Sequence, residues 1–88
     1  MNEIYKRQGR FTIPEEAVIE NPDALMELVF SKTIIARAEF LAIKKAFEYY
    51  AWSNEFDVIG LGEMVPTYIV EISNDENGNP SDSKFARQ

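Results

Sequence analysis

The chain contains neither cysteine nor histidine among its 88 residues. Without cysteine there is no disulfide framework and no thiolate metal site. Without histidine the sequence lacks the commonest general base and the commonest transition-metal ligand. The acidic cluster Asp75–Asp82 fails the ligand spacing of a calcium loop. We therefore expect a protein that is not an enzyme and that holds no cofactor and no metal.

Basic residues are also scarce, since nine lysines and arginines stand against fifteen acids, which gives a net charge of −6. This balance disfavours duplex nucleic acid as a partner, because phosphate-backbone binding needs a basic face. No run of about 18 apolar residues is present, so no membrane-spanning helix is predicted, and the first ten residues lack the pattern of a secretory signal. We expect a soluble cytoplasmic protein, located in the host cytoplasm if its origin is viral.

The hydrophobic content of 45% is that of a folded protein, and the length suits one small domain. Acidity is concentrated at the C-terminal end, where residues 54–88 carry seven acids and two bases. From Ser73 onward the composition becomes rich in Asn, Ser, Asp and Pro. We predict a single globular domain over 1–73 and a polar, flexible tail over 74–88.

The stretch Pro22–Ser53 is the longest periodic segment of the sequence. It follows an Asn cap, and Pro and Asp occupy its first two positions, which is typical of a helix start. Apolar residues then recur at spacings of three and four. We predict an α+β fold with one long central helix over this stretch, and its weakest point, where it would bend or break, is near Ser31–Thr33.

The remaining segments predict a short N-terminal helix and a small antiparallel sheet against which the long helix packs. Polar and apolar residues alternate in the first strand, and β-branched residues dominate the best one. Pro14 suits the first position of a helix. The predicted elements are a strand around Phe11–Ile13, a helix at Pro14–Glu20, and a hairpin of strands at Glu55–Ile59 and Thr67–Ile72.

The predicted long helix is apolar nearly all round, which indicates burial by its own chain or by copies of itself. One hairpin cannot cover that surface, so we predict a homo-oligomer, a dimer or larger. The candidate binding residues are charged or aromatic side chains on or near this helix: Arg10, Arg37, Glu39, Lys44, Tyr49, Tyr50 and Trp52. The alternative is structural, with Glu39 capping an inter-helix contact or paired to Arg10, the other charges solvated and the rings in the core.

The stretches Ala36–Phe40 and Phe47–Ile72, with the small size and acidity, resemble small phage- or prophage-encoded accessory proteins of the anti-defence type. Some of these proteins antagonise bacterial defence by occluding a host protein, mimicking DNA or sequestering a nucleotide signal, and the resemblance implies a non-catalytic binder. Our first hypothesis is an oligomeric binder that antagonises a bacterial host system by protein–protein occlusion, based on the surplus apolar surface of the predicted helix and the acidic C-terminal third. A second hypothesis is an oligomeric sponge for a small nucleotide signal, held by Arg37, Lys44, the basic N-terminal turn and stacked aromatic rings. A third is a structural or assembly protein.

Overall fold

In its computed structural model the chain folds around a five-stranded mixed β-sheet. The structure describes residues 3–88, so the first two residues of the predicted 1–73 domain lie outside the described residues. The strand order is β2-β3-β1-β4-β5, in which β1 and β4 are parallel and the other neighbours are antiparallel. The strands are β1 (Gln8–Pro14), β2 (Ile34–Leu41), β3 (Ala46–Trp52), β4 (Thr67–Asn74) and β5 (Pro80–Arg87). The helices are α1 (Glu15–Glu20) and α2 (Pro22–Leu28), and short 3-10 turns lie at Glu3–Lys6 and Phe30–Lys32.

The predicted long helix over 22–53 is wrong. Only α2 and the turn Phe30–Lys32 are helical there, and the rest of the stretch forms β2 and β3. β2 begins with two β-branched residues and β3 is rich in aromatic residues, both of which favour strands. Within β2, Arg37 and Glu39 also alternate with Ala38 and Phe40 at the period of two that marks a strand.

The turn that joins β2 to β3 carries none of the residues that usually mark a hairpin. Residues 42–45 read Ala-Ile-Lys-Lys, and Lys45 adopts a left-handed φ of 51°, which is uncommon for a residue other than glycine. Ala and Lys favour helices. The composition of this turn is therefore typical of a helix interior. For this reason the helical spacing of apolar residues continues across the turn from β2 into β3.

Several other predicted elements are confirmed. The first strand lies inside β1, and β4 covers Thr67–Ile72. The first helix is α1, but it begins one residue later than predicted, and Pro14 is its N-cap and not its first residue. α2 begins at Pro22 after Asn21, although the Asn21 side chain makes no capping hydrogen bond. The predicted strand Glu55–Ile59 is wrong, because this segment is a loop, and the sheet is mixed rather than antiparallel.

One face of the sheet forms the core. Phe11 and Ile13 of β1 lie on this face and pack with Leu25 and Val29 of α2. Phe11 and Val29 are completely buried. Full burial of a large apolar side chain contributes about 1.5–3 kcal/mol. The α1–α2 layer therefore stabilises the sheet by covering its centre.

The loop after β3 completes the core by crossing close to β1 at Gly9. The Phe56 ring is buried there and stacks on the Tyr68 ring, with 4.5 Å between centroids. A Cβ atom placed on Gly9 would lie 2.8 Å from an atom of each of these two rings. Glycine at this position is therefore required by the close approach of the aromatic side chains.

The segment 74–88, predicted as a flexible polar tail, contains β5. The Asp75 carboxylate closes the β4–β5 turn by accepting hydrogen bonds from the backbone N–H groups of Asn77 and Asn79, at 2.9 and 3.0 Å. Gly78 takes the φ of 82° that this turn requires. β5 then pairs with β4 along most of its length, so these residues belong to the sheet.

α2 and the turn after it hold β5 in place. The Ser83 hydroxyl donates to the Leu28 carbonyl at the end of α2. The Lys32 ammonium donates to the Ser83 carbonyl at 2.6 Å and forms an ion pair with Asp82 at 3.3 Å. These contacts join the two halves of the chain across 50 to 55 residues of sequence.

Candidate functional site

The second face of the sheet is the open face, which consists of the side chains that alternate with the core residues along each strand. Thr12 of β1 and Ile69 and Glu71 of β4 are exposed on it. A sheet face that is not packed on a core is usually solvated and polar. Here it also carries large aromatic side chains and arginines, which makes it the candidate binding surface.

Four residues form a straight row across the open face, and we call them the open-face row. Strand register places Arg37 of β2 beside Tyr50 of β3, Tyr50 beside Arg10 of β1, and Arg10 beside Thr67 of β4. The Arg37 guanidinium lies 4.3 Å from the centroid of the Tyr50 ring, which is cation–π distance. Two arginines from distant segments therefore flank one tyrosine.

The Arg10 side chain is fixed in this row by hydrogen bonds. Its Nε and Nη2 atoms both donate to the Thr67 hydroxyl oxygen, at 3.0 and 2.7 Å. A guanidinium has five N–H donors, so three remain for a ligand. Thr67 thus orients the arginine without neutralising its charge.

Neither arginine of the open-face row forms an ion pair within residues 3–88. The ion pairs found there belong to Lys32, Lys84 and Arg87, which lie toward the β4–β5 side of the molecule. A guanidinium is the side chain best suited to bidentate binding of carboxylate or phosphate. The row therefore offers two positive charges to an anionic partner.

An apolar flank borders the open-face row. Trp52 of β3 lies opposite Ile34 of β2, and its ring packs edge-on against the ring of Tyr5, 5.5 Å away. Ile34 is 51% exposed and Tyr5 is 70% exposed. A large apolar surface next to two arginines combines the residue types that are enriched at protein interfaces.

An acidic flank lies on the other side of the row. Glu39 of β2 is directly opposite Glu48 of β3, and Thr12 of β1 follows. Like charges directly opposite each other in a sheet are destabilising. Glu39, which the sequence analysis singled out, therefore has a neighbour of its own sign within the chain.

Two of the predicted site residues lie elsewhere. Tyr49 points to the core face, where its ring stacks on Phe11 at 5.3 Å, and burial raises the pKa of its hydroxyl. Lys44 lies in the turn between β2 and β3 and borders two surface cavities. The structure thus brings together Arg10, Arg37 and Tyr50, with Glu39 and Trp52 on the same face.

Sequence reasoning missed Thr67 and Ile34 as parts of this surface. Thr67 belongs to it only because β4 runs parallel beside β1, and no local pattern reveals that pairing. Ile34 belongs to the apolar surface of the predicted long helix. It is out of phase with the alternation of Arg37 and Glu39 along β2, and it lies on the open face only because the strand is irregular between Ile35 and Arg37.

The open-face row does not line the main cavities of the described residues. Four surface cavities of about 270 to 540 Å³ are lined by other parts of residues 3–88, and none of them includes Arg10, Arg37 or Tyr50. No group of three or more metal-ligating side chains was found in the described part of the chain. No helix within it has the length and apolar character needed to cross a membrane.

Comparisons with protein-family models, with curated proteins and with solved structures found no match to this chain.

Proposed function

We propose that the protein is a non-catalytic binding protein whose open face docks an acidic segment of another protein and thereby occludes it. The observation that carries the proposal is the open-face row, in which two arginines without acidic partners in residues 3–88 flank Tyr50 on an uncovered sheet face. Carboxylates of the partner would accept hydrogen bonds from Arg10 and Arg37, and an apolar residue would pack on Trp52.

The shape of the surface supports a protein partner. Small-molecule sites are concave and bury most of the ligand, whereas the open-face row lies outside the four surface cavities described above. Tyr, Trp and Arg are also the side chains that most often dominate the energy of protein interfaces. An extended acidic strand or loop could contact all three types at once along the row.

The resemblance to small phage-encoded accessory proteins supports a bacterial host protein as this partner. An occluding protein needs only a surface that competes with the host protein's own ligand. On a molecule of net charge −6, the row places two positive charges between the apolar flank and the acidic flank, and neither belongs to the ion pairs of the β4–β5 side. That contrast would orient an acidic partner toward the open face.

A small nucleotide is the second candidate, because the Arg37 guanidinium already stacks on Tyr50 at 4.3 Å and Arg10 lies on its other side. A phosphate could bind between the guanidinium groups while a base stacks on Trp52. Thermal-shift measurements with a panel of nucleotides separate the two candidates. A rise of several degrees with one compound favours the nucleotide, and no shift with any compound favours the protein.

Affinity capture from bacterial lysate tests the proposal, with quantitative mass spectrometry as the readout. The R10Q/Y50A variant removes one cation and one ring from the open-face row. The matched control, E16Q/I19A, removes one charge and one exposed apolar side chain from α1. Thermal unfolding verifies that each variant is folded.

We expect one host protein to be retained by the wild type and by the control. The captured amount of this protein should fall at least about tenfold with R10Q/Y50A, since interface anchors of this type contribute about 2 kcal/mol or more. Equal retention by all three proteins would show that the open-face row is not the binding surface.

A further inference from the structure

The two edges of the sheet are protected to different degrees. At the β5 edge, Pro80 begins the strand, Lys32 donates to the carbonyl of Ser83, and the Ser83 hydroxyl contacts the end of α2. Proline and covering elements of this kind hinder pairing with another chain. β2 forms the other edge, has no proline, and exposes seven of its eight residues.

We infer that β2 pairs antiparallel with β2 of a second copy of the chain, about a two-fold axis at Ala38. In this register Arg37 of each copy lies directly opposite Glu39 of the other copy. Opposite charges facing each other across strands stabilise the pairing. The strand is therefore complementary to itself in charge, and this complementarity identifies the second copy as the occupant of the edge.

The charge pattern also excludes the neighbouring registers. A two-fold axis perpendicular to the sheet places one residue of the strand opposite itself. An axis at Arg37 would oppose two arginines, and an axis at Glu39 would oppose two glutamates. With the axis at Ala38 the closest approach is between two methyl groups, and both charged pairs are attractive.

A second observation points to the same pairing. Within one copy Glu39 lies directly opposite Glu48, which is an unfavourable arrangement. In the dimer, Arg37 of the second copy lies on the other side of Glu39 and supplies the missing positive charge. The pairing thus corrects an electrostatic conflict that the single chain contains.

The dimer would have one continuous ten-stranded sheet. Because the axis is perpendicular to that sheet, the open faces of both copies lie on the same side, and the two open-face rows become neighbours. Pairing with Glu39 of the second copy would draw the Arg37 guanidinium from Tyr50 toward the strand edge, and its other N–H donors would remain for a ligand of the open face. The inference shares Arg37 with the proposed function, but it is tested separately, by the oligomeric state.

Sedimentation velocity of charge variants tests the inference. The R37E and E39R variants each place like charges opposite one another, and we expect the dimer dissociation constant of each to rise at least about tenfold. The double variant R37E/E39R restores attractive pairs and should dimerise like the wild type. An equimolar mixture of the two single variants should form a heterodimer, because all of its opposing pairs are then attractive.

Two further variants complete the test. K84E changes an exposed charge on β5 and should leave dimerisation unchanged. A38C should form a disulfide-linked dimer on mild oxidation, because the chain has no other cysteine and residues directly opposite each other lie within disulfide range. S81C, on the other edge of the sheet, should not form a disulfide-linked dimer. Any one of three results would overturn the inference. The wild-type chain could be monomeric at about 1 mM, the single variants could dimerise like the wild type, or the mixture of single variants could stay monomeric.

Discussion

Replacement of Gly9 by alanine probes the closest packing in the core. A Cβ atom at this position would lie 2.8 Å from the Phe56 and Tyr68 rings, which is shorter than carbon atoms tolerate. Both rings are buried, and the Phe56 ring also packs against Phe85, with 4.8 Å between centroids. Neither ring can move without disturbing another, so the added methyl group must displace part of the core.

The size of the expected stability change follows from two opposing effects. Overpacking of a well-packed core costs about 1–3 kcal/mol. Any Gly→Ala change also restricts the unfolded chain, which stabilises the folded state by about 0.4–1 kcal/mol. Gly60→Ala serves as the matched control, because its Cβ would meet only the flexible carboxylate end of Glu63. The difference between the two variants isolates the packing effect.

Urea unfolding of the two variants, followed by circular dichroism, measures this difference. We expect the Gly9→Ala variant to be less stable than the Gly60→Ala variant by about 1–3 kcal/mol. In thermal unfolding each kcal/mol corresponds to about 4–8 °C for a domain of this size. The Phe56→Leu background should reduce the cost of Gly9→Ala, because it removes the ring that the methyl group meets. Equal stability of the two glycine variants would refute the described packing of the loop on β1.

Two further predictions concern the attachment of β5. Ser83→Ala removes the part-buried hydrogen bond to the end of α2 and leaves the Leu28 carbonyl without that donor, so we expect a loss of about 1–3 kcal/mol in urea unfolding. Ser81→Ala on the exposed side should cost less than about 0.5 kcal/mol. The Ser83 N–H and the Lys32 ammonium hold the pKa of Asp82 below its ordinary value. The stability that these two contacts contribute is therefore present at neutral pH. It is lost as the pH falls below about 3.9 toward the lower pKa of the folded state. Asp82→Asn should therefore lose less stability than the wild type between pH 7 and pH 3, and an identical loss would contradict this assignment.

The elements that could be predicted from the sequence are those with local signals. Pro14 and Asn21-Pro22 mark the two helix starts, and the β-branched run of β4 marks a strand. The β2–β3 hairpin could not be predicted, because its turn consists of residues that favour helices and its apolar residues also fit a helical period. β5 was missed because its sequence is polar, and its strand conformation depends on pairing with β4 and on Lys32.

The candidate site shows the same division between local and long-range information. Arg10, Arg37 and Tyr50 could be named as unusual residues, but their meeting depends on the register of three strands. Tyr49 was grouped with Tyr50 because they are adjacent in sequence. In a strand, adjacent side chains point to opposite faces, so one lies in the core and the other on the open face.

Site-specific photo-cross-linking tests the proposed role of the open face most directly. A benzoylphenylalanine incorporated at position 50 in the full chain, expressed in bacterial cells, would lie in the middle of the open-face row. The same probe at position 19 on α1 is the control, since Ile19 is 70% exposed on another surface. We predict that the probe at position 50 forms an adduct that contains one host protein and is larger than a dimer of the chain. The probe at position 19 should not form this adduct. The same adducts from both positions, or none from position 50, would contradict the proposal that this face binds a protein.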